Sequence, residues 1–185
     1  MGNGAVTAMR RTSLSVIHVN TRPSRRSQGR LSAGPVSVPV ALGRTGIKAD
    51  KREGDGGTPA GRFRPVRLWW RADRLPRPQT RLPVRRIAAD DAWCEDPNDR
   101  RYNHAYKRSA TEPGDRLRRD DGLYDLIVEI DHNRRPRIAG RGSAVFIHIA
   151  RPGFGPTAGC IALKHHDLLA LLRQLTPKTR IIVHS

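Results

Sequence analysis

Alternating apolar and polar residues predict a series of short strands along this chain. The pattern is clearest between Gly34 and Leu42, where Val36, Val38 and Val40 fall on one face, as in a half-buried strand. Shorter apolar runs predict further strands at 13–19, 66–70, 84–89, 123–130, 144–149 and 180–183. A strand-dominated fold is therefore expected.

Helical spacing occurs in one stretch near the C-terminus. Leucines recur at helical intervals within 164–175, namely at Leu168, Leu169, Leu171, Leu172 and Leu175. Pro177 follows and ends the pattern. The charged stretch 108–122 is also predicted to be partly helical, whereas the basic stretches 21–30 and 71–83 are predicted to be loops.

The composition suits a loop-rich, mainly β (α+β) protein better than a helical bundle. The chain has 185 residues, 37% of them hydrophobic, with 17 Gly and 14 Pro. This length is enough for one ordinary domain with a core.

Residues 1–12 are predicted to be a disordered tail and 13–185 a single domain. No stretch is long enough to span a membrane, and the short apolar run after Arg10 and Arg11 is not recognisable as a secretory signal.

The chain is strongly basic. Lys and Arg number 35 against 17 Asp and Glu, so the formal net charge is +18, which attracts polyanions. A non-catalytic module that binds nucleic acid is therefore one hypothesis. The basic residues are scattered, however, and no nucleic-acid-binding motif appears, so no nucleic-acid partner is expected. Another anionic polymer, or a solvated basic surface, fits the charge as well.

The candidate chemistry lies between Gly142 and Leu163. An apolar run carries His148 near its end, a loop rich in Gly and Pro follows, and apolar sequence resumes at Cys160. An imidazole beside a thiol can take its proton and create a nucleophile. The backbone amides at Gly159 and Cys160 are candidates to bind an oxyanion. The alternative reading is a small buried cysteine and a core histidine, and the residues alone leave both open.

The segment Thr157-Ala158-Gly159-Cys160, preceded by His148, resembles the active-site signature of the YkuD-type L,D-transpeptidases. A second block, 51–63, contains the Thr-Pro-x-Gly-x-Phe element of the same family at positions 58–63. The resemblance covers about 14–183. Ala162 departs from the pattern, because many members have Arg there, and the loop between the His and the Cys is short. The sequence looks closest to a proteobacterial branch of the family.

The resemblance implies a mixed-sheet β-sandwich with one or two helices and an acyltransferase that uses Cys160, His148 and Gly159. The expected partners are peptidoglycan stem peptides, as donor and acceptor, in the periplasm or cell envelope, and carbapenems as covalent inhibitors. Links of the 3→3 type, or 1→3 links through L-alanine, are both open. Hydrolysis of stem peptides by the same thioester is the alternative. No cofactor or metal is expected, and a monomer is predicted.

Five further residues are predicted to contact the substrate. Arg141 is a candidate to bind a carboxylate bidentately, Ser143 and the Ile149 carbonyl are candidates to orient His148, and Thr157 belongs to the signature. The aromatic and polar stretch 90–106 suggests a ligand surface with Tyr102 and His104. A self-packed loop held by Asx turns is the alternative for that stretch.

Two cysteines, Cys94 and Cys160, are both predicted to be free, because a disulfide would block the nucleophile. Asp96 and Asp99 lack accompanying His or Cys ligands at metal-binding spacing.

A papain-like cysteine amidase also remains open. It would require an Asn or Asp partner for His148 and would hydrolyse ordinary peptides of L-residues.

Overall fold

The computed structural model describes residues 13–185, so the predicted tail at 1–12 lies outside the described residues. The first eight strands are β1 (Val16–Arg22), β2 (Arg25–Ala33), β3 (Val36–Ala41), β4 (Ile47–Lys48), β5 (Thr58–Pro59), β6 (Gly61–Phe63), β7 (Pro65–Trp70) and β8 (Val84–Arg86). The next seven are β9 (Asp91–Trp93), β10 (Ala105–Lys107), β11 (Asp115–Arg116), β12 (Leu126–Ile130), β13 (Phe146–Ile149), β14 (Ile161–Leu163) and β15 (Arg180–Val183). A 3₁₀ turn (Pro152–Phe154) and one helix, α1 (His165–Leu172), complete the described elements.

Ten strands form one mixed sheet in the order β6-β15-β1-β2-β3-β14-β13-β12-β7-β8. The pairs β1–β15, β13–β14 and β7–β8 are parallel, and the other neighbours are antiparallel. Strands β4 and β5 form a parallel pair, and β10-β9-β11 form a small antiparallel sheet. The predicted mainly β fold with a mixed sheet is confirmed.

The large sheet curls around the main core. Ile17 of β1 and Ile181 of β15, near one end of the strand order, share a single apolar cluster with Leu68 of β7 and Val128 of β12, near the other end. Leu168, on the buried face of α1, packs into the same cluster. The leucine stripe therefore covers this core, because burying an amphipathic face stabilises a helix more than its propensity does.

A second apolar cluster lies on the other face of the sheet. Trp69, Ile127 and Phe146 alternate with the residues that face the main core, as the period of a strand requires. Trp93 of the small sheet packs edge-on against both Trp69 and Phe146. The small sheet is thereby fixed over the face that carries the candidate chemistry.

A strand is present at each of the seven stretches predicted to form one. The loop prediction for 21–30 and the helix prediction for 108–122 were wrong, and strands flank the self-packed loop within 90–106. The stretch 21–30 contains much of β2, whose inward residues Gly29, Leu31 and Ala33 are too few and too small to signal a strand. The stretch 90–106 contains β9 and the start of β10. The stretch 108–122 holds no helix, because Pro113 and Gly114 interrupt it and β11 pairs with β9. Within the described residues, no helix is long and apolar enough to cross a membrane.

Candidate active site

The parallel pairing of β13 with β14 brings His148 and Cys160 to one face of the sheet. His148 is in register with Ala162, and Cys160 lies two residues before Ala162. Because residues two apart on a strand share a face, the imidazole and the thiol both face away from the main core. They line a cavity of about 310 Å³ that is also bordered by Ser143 and Thr157.

His148 is buried and held by the backbone. Its Nδ1 lies 2.9 Å from the carbonyl oxygen of Ile149, and because a carbonyl only accepts, Nδ1 carries the proton and Nε2 is left as a base. The ring of Tyr124 packs edge-on against it at 5.2 Å. Burial lowers the pKa of His148 to about 4, so the imidazole is neutral at pH 7.

Cys160 is a buried, neutral thiol. Its Sγ donates to the carbonyl of Ala144 at 3.2 Å and accepts from the amide of Phe146 at 3.4 Å. Burial raises the pKa of Cys160 to about 12, although the Phe146 amide opposes this shift. In the described chain no hydrogen bond joins the thiol to His148. Both cysteines are free, as predicted.

The loop before Cys160 is fixed by Thr157. The Thr157 hydroxyl donates to the carbonyl of Cys160 at 2.7 Å and accepts from the amide of Gly159 at 3.1 Å. The predicted oxyanion role of the Gly159 amide therefore does not fit this arrangement, because that amide already has a partner. Gly159 is needed for its backbone: φ is +148°, and a Cβ would lie 2.8 Å from the carbonyl oxygen of Gly57.

The segment 51–57 forms the wall opposite Gly159 and is organised by one ion pair. Lys51 and Asp55 lie 2.6 Å apart with side chains that are 7% and 14% exposed. Asp55 also accepts from the amides of Arg52 at 2.9 Å and Gly57 at 2.7 Å. One carboxylate therefore fixes both the turn and the position of Gly57 against Gly159.

We expect Asp55→Ala to lower the free energy of unfolding by about 3–5 kcal/mol, because it leaves the buried Lys51 charge and two backbone amides without a partner. Chemical denaturation monitored by circular dichroism measures this. Asp50→Ala is the matched control. Asp50 is 65% exposed in its pair with Arg52, so this substitution should leave the free energy of unfolding close to that of the wild type. Equal losses in the two variants would contradict the role given to Asp55.

Three of the predicted substrate residues lie away from the cavity. The Tyr102 hydroxyl donates to Glu53 and accepts from the amide of Gly142, so it connects the segment 51–57 to the backbone before β13. His104 contacts Arg137 and borders a different pocket. Arg141 pairs with Asp50. These contacts make the three residues structural in this arrangement, and none of them lines the cavity with Cys160.

Ser143 does line the cavity, but it does not orient His148. Its hydroxyl is buried and has no hydrogen-bond partner among the described residues. Asn103 instead holds the neighbouring backbone, since its Oδ1 accepts from the amide of Ala144 at 3.2 Å. The Ile149 carbonyl, the other candidate to orient His148, makes the predicted hydrogen bond.

Several charged residues of the cavity were missed by sequence reasoning. The Tyr124 hydroxyl donates to Asp115 at 2.8 Å, and Arg119 lies over the Tyr124 ring at 4.8 Å. Glu95 lines the same cavity. Glu95 falls within the stretch 90–106 that was predicted to form a ligand surface, but the others carry no local signal. Within residues 13–185, no group of three or more His, Cys, Asp or Glu is arranged to hold a metal ion.

Comparison with known proteins places this chain in a family. Two structures of L,D-transpeptidase 3 from Mycobacterium tuberculosis, one in complex with a faropenem-derived adduct and one at 1.32 Å resolution, are similar with TM-scores of 0.43 and identities of 13% and 14%. The alignments cover 91% of this chain and 60–61% of those chains. No curated protein matches the chain. Residues 14–183 match the YkuD model, described as the L,D-transpeptidase catalytic domain. Because that match spans nearly the whole sequence, the chain belongs to the YkuD family of L,D-transpeptidase catalytic domains.

Proposed function

We propose that this protein is a cysteine-dependent L,D-transpeptidase that cross-links peptidoglycan stem peptides in the cell envelope through a thioester at Cys160. The observation that carries the proposal is the neutral His148, whose unprotonated Nε2 shares a cavity with the Cys160 thiol. A neutral imidazole is the form that can accept a thiol proton. Membership of the family supports the reaction type.

In the first half-reaction the thiol turns from the Ala144 carbonyl towards Nε2 of His148 and gives up its proton. The sulfur then attacks the carbonyl of an L-residue that precedes a D-residue. His148 returns the proton to the leaving amine, and the Cys160 acyl thioester remains. The Cys160 amide is the proposed oxyanion donor, because the Gly159 amide is occupied by Thr157.

In the second half-reaction the amine of another stem peptide attacks the thioester and forms the cross-link. The acyl centre at the third stem residue would give 3→3 links, and the L-alanine carbonyl would give 1→3 links. Water in place of the amine would make the protein a carboxypeptidase or endopeptidase. The basic surface suits an anionic polymer such as peptidoglycan.

Carbapenem labelling tests this proposal. A cysteine nucleophile opens the β-lactam ring, so we expect intact mass spectrometry to show one adduct with the full mass of the drug. Peptide mapping should locate it on Cys160. Incubation with purified stem peptides should give cross-linked products that mass spectrometry assigns as 3→3 or 1→3. Absence of both the adduct and the products would contradict the proposal.

A further inference from the structure

Glu95 is an unpaired carboxylate on the wall of the active-site cavity. All 17 acidic residues of the chain lie within residues 13–185, and the other carboxylates near the cavity are engaged. Asp115 accepts from Tyr124, and Glu53 accepts from Tyr102. Glu95 makes no hydrogen bond or ion pair with any described residue, although it lines the cavity with Cys160 and His148. In a chain of net charge +18, such a carboxylate is available to a cationic ligand.

The small sheet positions the loop that carries Glu95 at the wall of the cavity. Glu95 follows β9 by two residues, and Asp115 of β11 is in register with Trp93 of β9. Trp93 is fixed in turn by its edge contact with Phe146, beside Cys160. The negative charge of Glu95 is close enough to Cys160 to contribute to raising the pKa of the thiol.

The surroundings make Glu95 a weaker acid than usual, although its side chain is exposed to solvent at the mouth of the cavity. Desolvation by the neighbouring cavity wall raises its pKa to about 7, and the charges of Asp115 and Glu53 act in the same direction. The basic side chains that line the cavity are those of Arg44, Lys51, Arg119 and Arg151. A carboxylate with a pKa near the working pH exchanges a proton most effectively, since it is both partly ionised and basic enough.

We propose that Glu95 is a further catalytic residue, the base that takes a proton from the acceptor ammonium group in the second half-reaction. This inference rests on the proposed transpeptidase function. The acceptor amine is protonated at neutral pH and has no lone pair to attack with. Glu95 binds the ammonium group, removes one proton and releases the free amine into the cavity.

The remaining steps balance without another reactant. The amine nitrogen forms a bond to the thioester carbonyl carbon, and the carbon–sulfur bond breaks. The second nitrogen proton passes through His148 to the departing sulfur, which restores the Cys160 thiol and leaves a neutral amide. Protonated Glu95 then loses its proton to solvent. Water already has a lone pair and needs no such proton removal before it attacks the thioester. Glu95 therefore favours cross-linking over hydrolysis.

The test separates the two half-reactions in Glu95→Gln. We expect its carbapenem adduct to form at least as fast as in the wild type, because a negative charge near the thiol has been removed. With a stem-peptide donor and an acceptor carrying a free side-chain amine, we expect the ratio of cross-linked to hydrolysed product to fall by about 100-fold. In the wild type this ratio should rise with pH through about 7, because Glu95 must be ionised, and in the variant that rise should be lost.

An alkoxyamine acceptor provides the decisive control. It is unprotonated at pH 7, so it needs no base and should intercept the thioester equally well in wild type and Glu95→Gln. Asp96→Asn is the matched variant, since Asp96 is exposed and does not line the cavity, and its product ratio should equal that of the wild type. An unchanged product ratio in Glu95→Gln, or equal losses with both acceptors, would overturn the role of Glu95. Failure of the proposed function is distinguishable, because then the wild type itself would form no adduct.

Discussion

Replacing Cys160 by Ala is expected to remove cross-linking by at least about 10⁴-fold, because the side chain that forms the covalent intermediate is gone. The variant should still fold. It loses the contacts of Sγ with the Ala144 carbonyl and the Phe146 amide, which we expect to cost about 1–2 kcal/mol. Product formation from stem peptides measures the loss of cross-linking, and carbapenem labelling measures the loss of the nucleophile. Circular dichroism, with chemical denaturation, measures the retained fold and its stability.

Cys94→Ala is the matched control for this prediction. Cys94 is also a free, buried cysteine, but it does not line the cavity. Its substitution should therefore leave both the carbapenem adduct and the cross-linking rate close to wild type. An adduct that persists in Cys160→Ala, or that disappears in Cys94→Ala, would place the nucleophile elsewhere.

The sequence indicated the two side chains proposed to react, His148 and Cys160, but not how they are arranged in space. Local alternation predicted the strand with His148, and the loop ending at Cys160 was visible from its Gly and Pro residues. That the two share a face depends on the parallel register of β13 with β14, in which His148 faces Ala162. Register is set by contacts between distant segments, which a local pattern does not contain.

The charged residues of the cavity show the same limit. Asp115 and Glu95 reach the cavity because β11 pairs with β9 and Trp93 packs on Phe146. The stretch containing Asp115 was predicted to be partly helical, since its charges resemble those of a solvated helix. The prediction failed because tertiary pairing overrides weak local propensity.

Two of the predicted substrate residues show a related limit. Tyr102 and Arg141 are polar residues close in sequence or space to the cavity, but each has an internal partner, Glu53 and Asp50 respectively. The residue type shows which side chains can bind a ligand. It does not show whether their polar groups are already bonded within the protein, because the partners lie roughly 50 to 90 positions away in the sequence.

The resting active site contains two neutral groups rather than an ion pair. Burial lowers the pKa of His148 to about 4 and raises that of Cys160 to about 12, so a preformed thiolate–imidazolium pair is disfavoured. The proton must then move as the substrate binds and the thiol turns towards Nε2. This arrangement makes the pH dependence of acylation a direct report on His148.

We expect carbapenem acylation to stay nearly constant between pH 7 and pH 5, with a loss of no more than about two-fold. A general base works when it is unprotonated, and a histidine with a pKa of about 4 remains mostly neutral at pH 5. With the ordinary pKa of about 6.5, the same change of pH would reduce the rate by about 25-fold. His148→Gln should lower the acylation rate by about 10²–10⁴-fold at pH 7, because the base is lost. Stopped-flow or mass-resolved kinetics measure both effects.

Circular dichroism at each pH is the necessary control, because His148 also links folding to pH. Its pKa in the folded protein is below the ordinary value of the unfolded chain, so the unfolded chain binds the proton first as the pH falls. Stability is therefore lost between about pH 6.5 and pH 4. Rates should be compared only where the wild type remains folded. A loss of acylation of about 25-fold in folded protein at pH 5, or a His148→Gln variant that acylates at the wild-type rate, would mean that His148 is not the buried neutral base from which the mechanism starts.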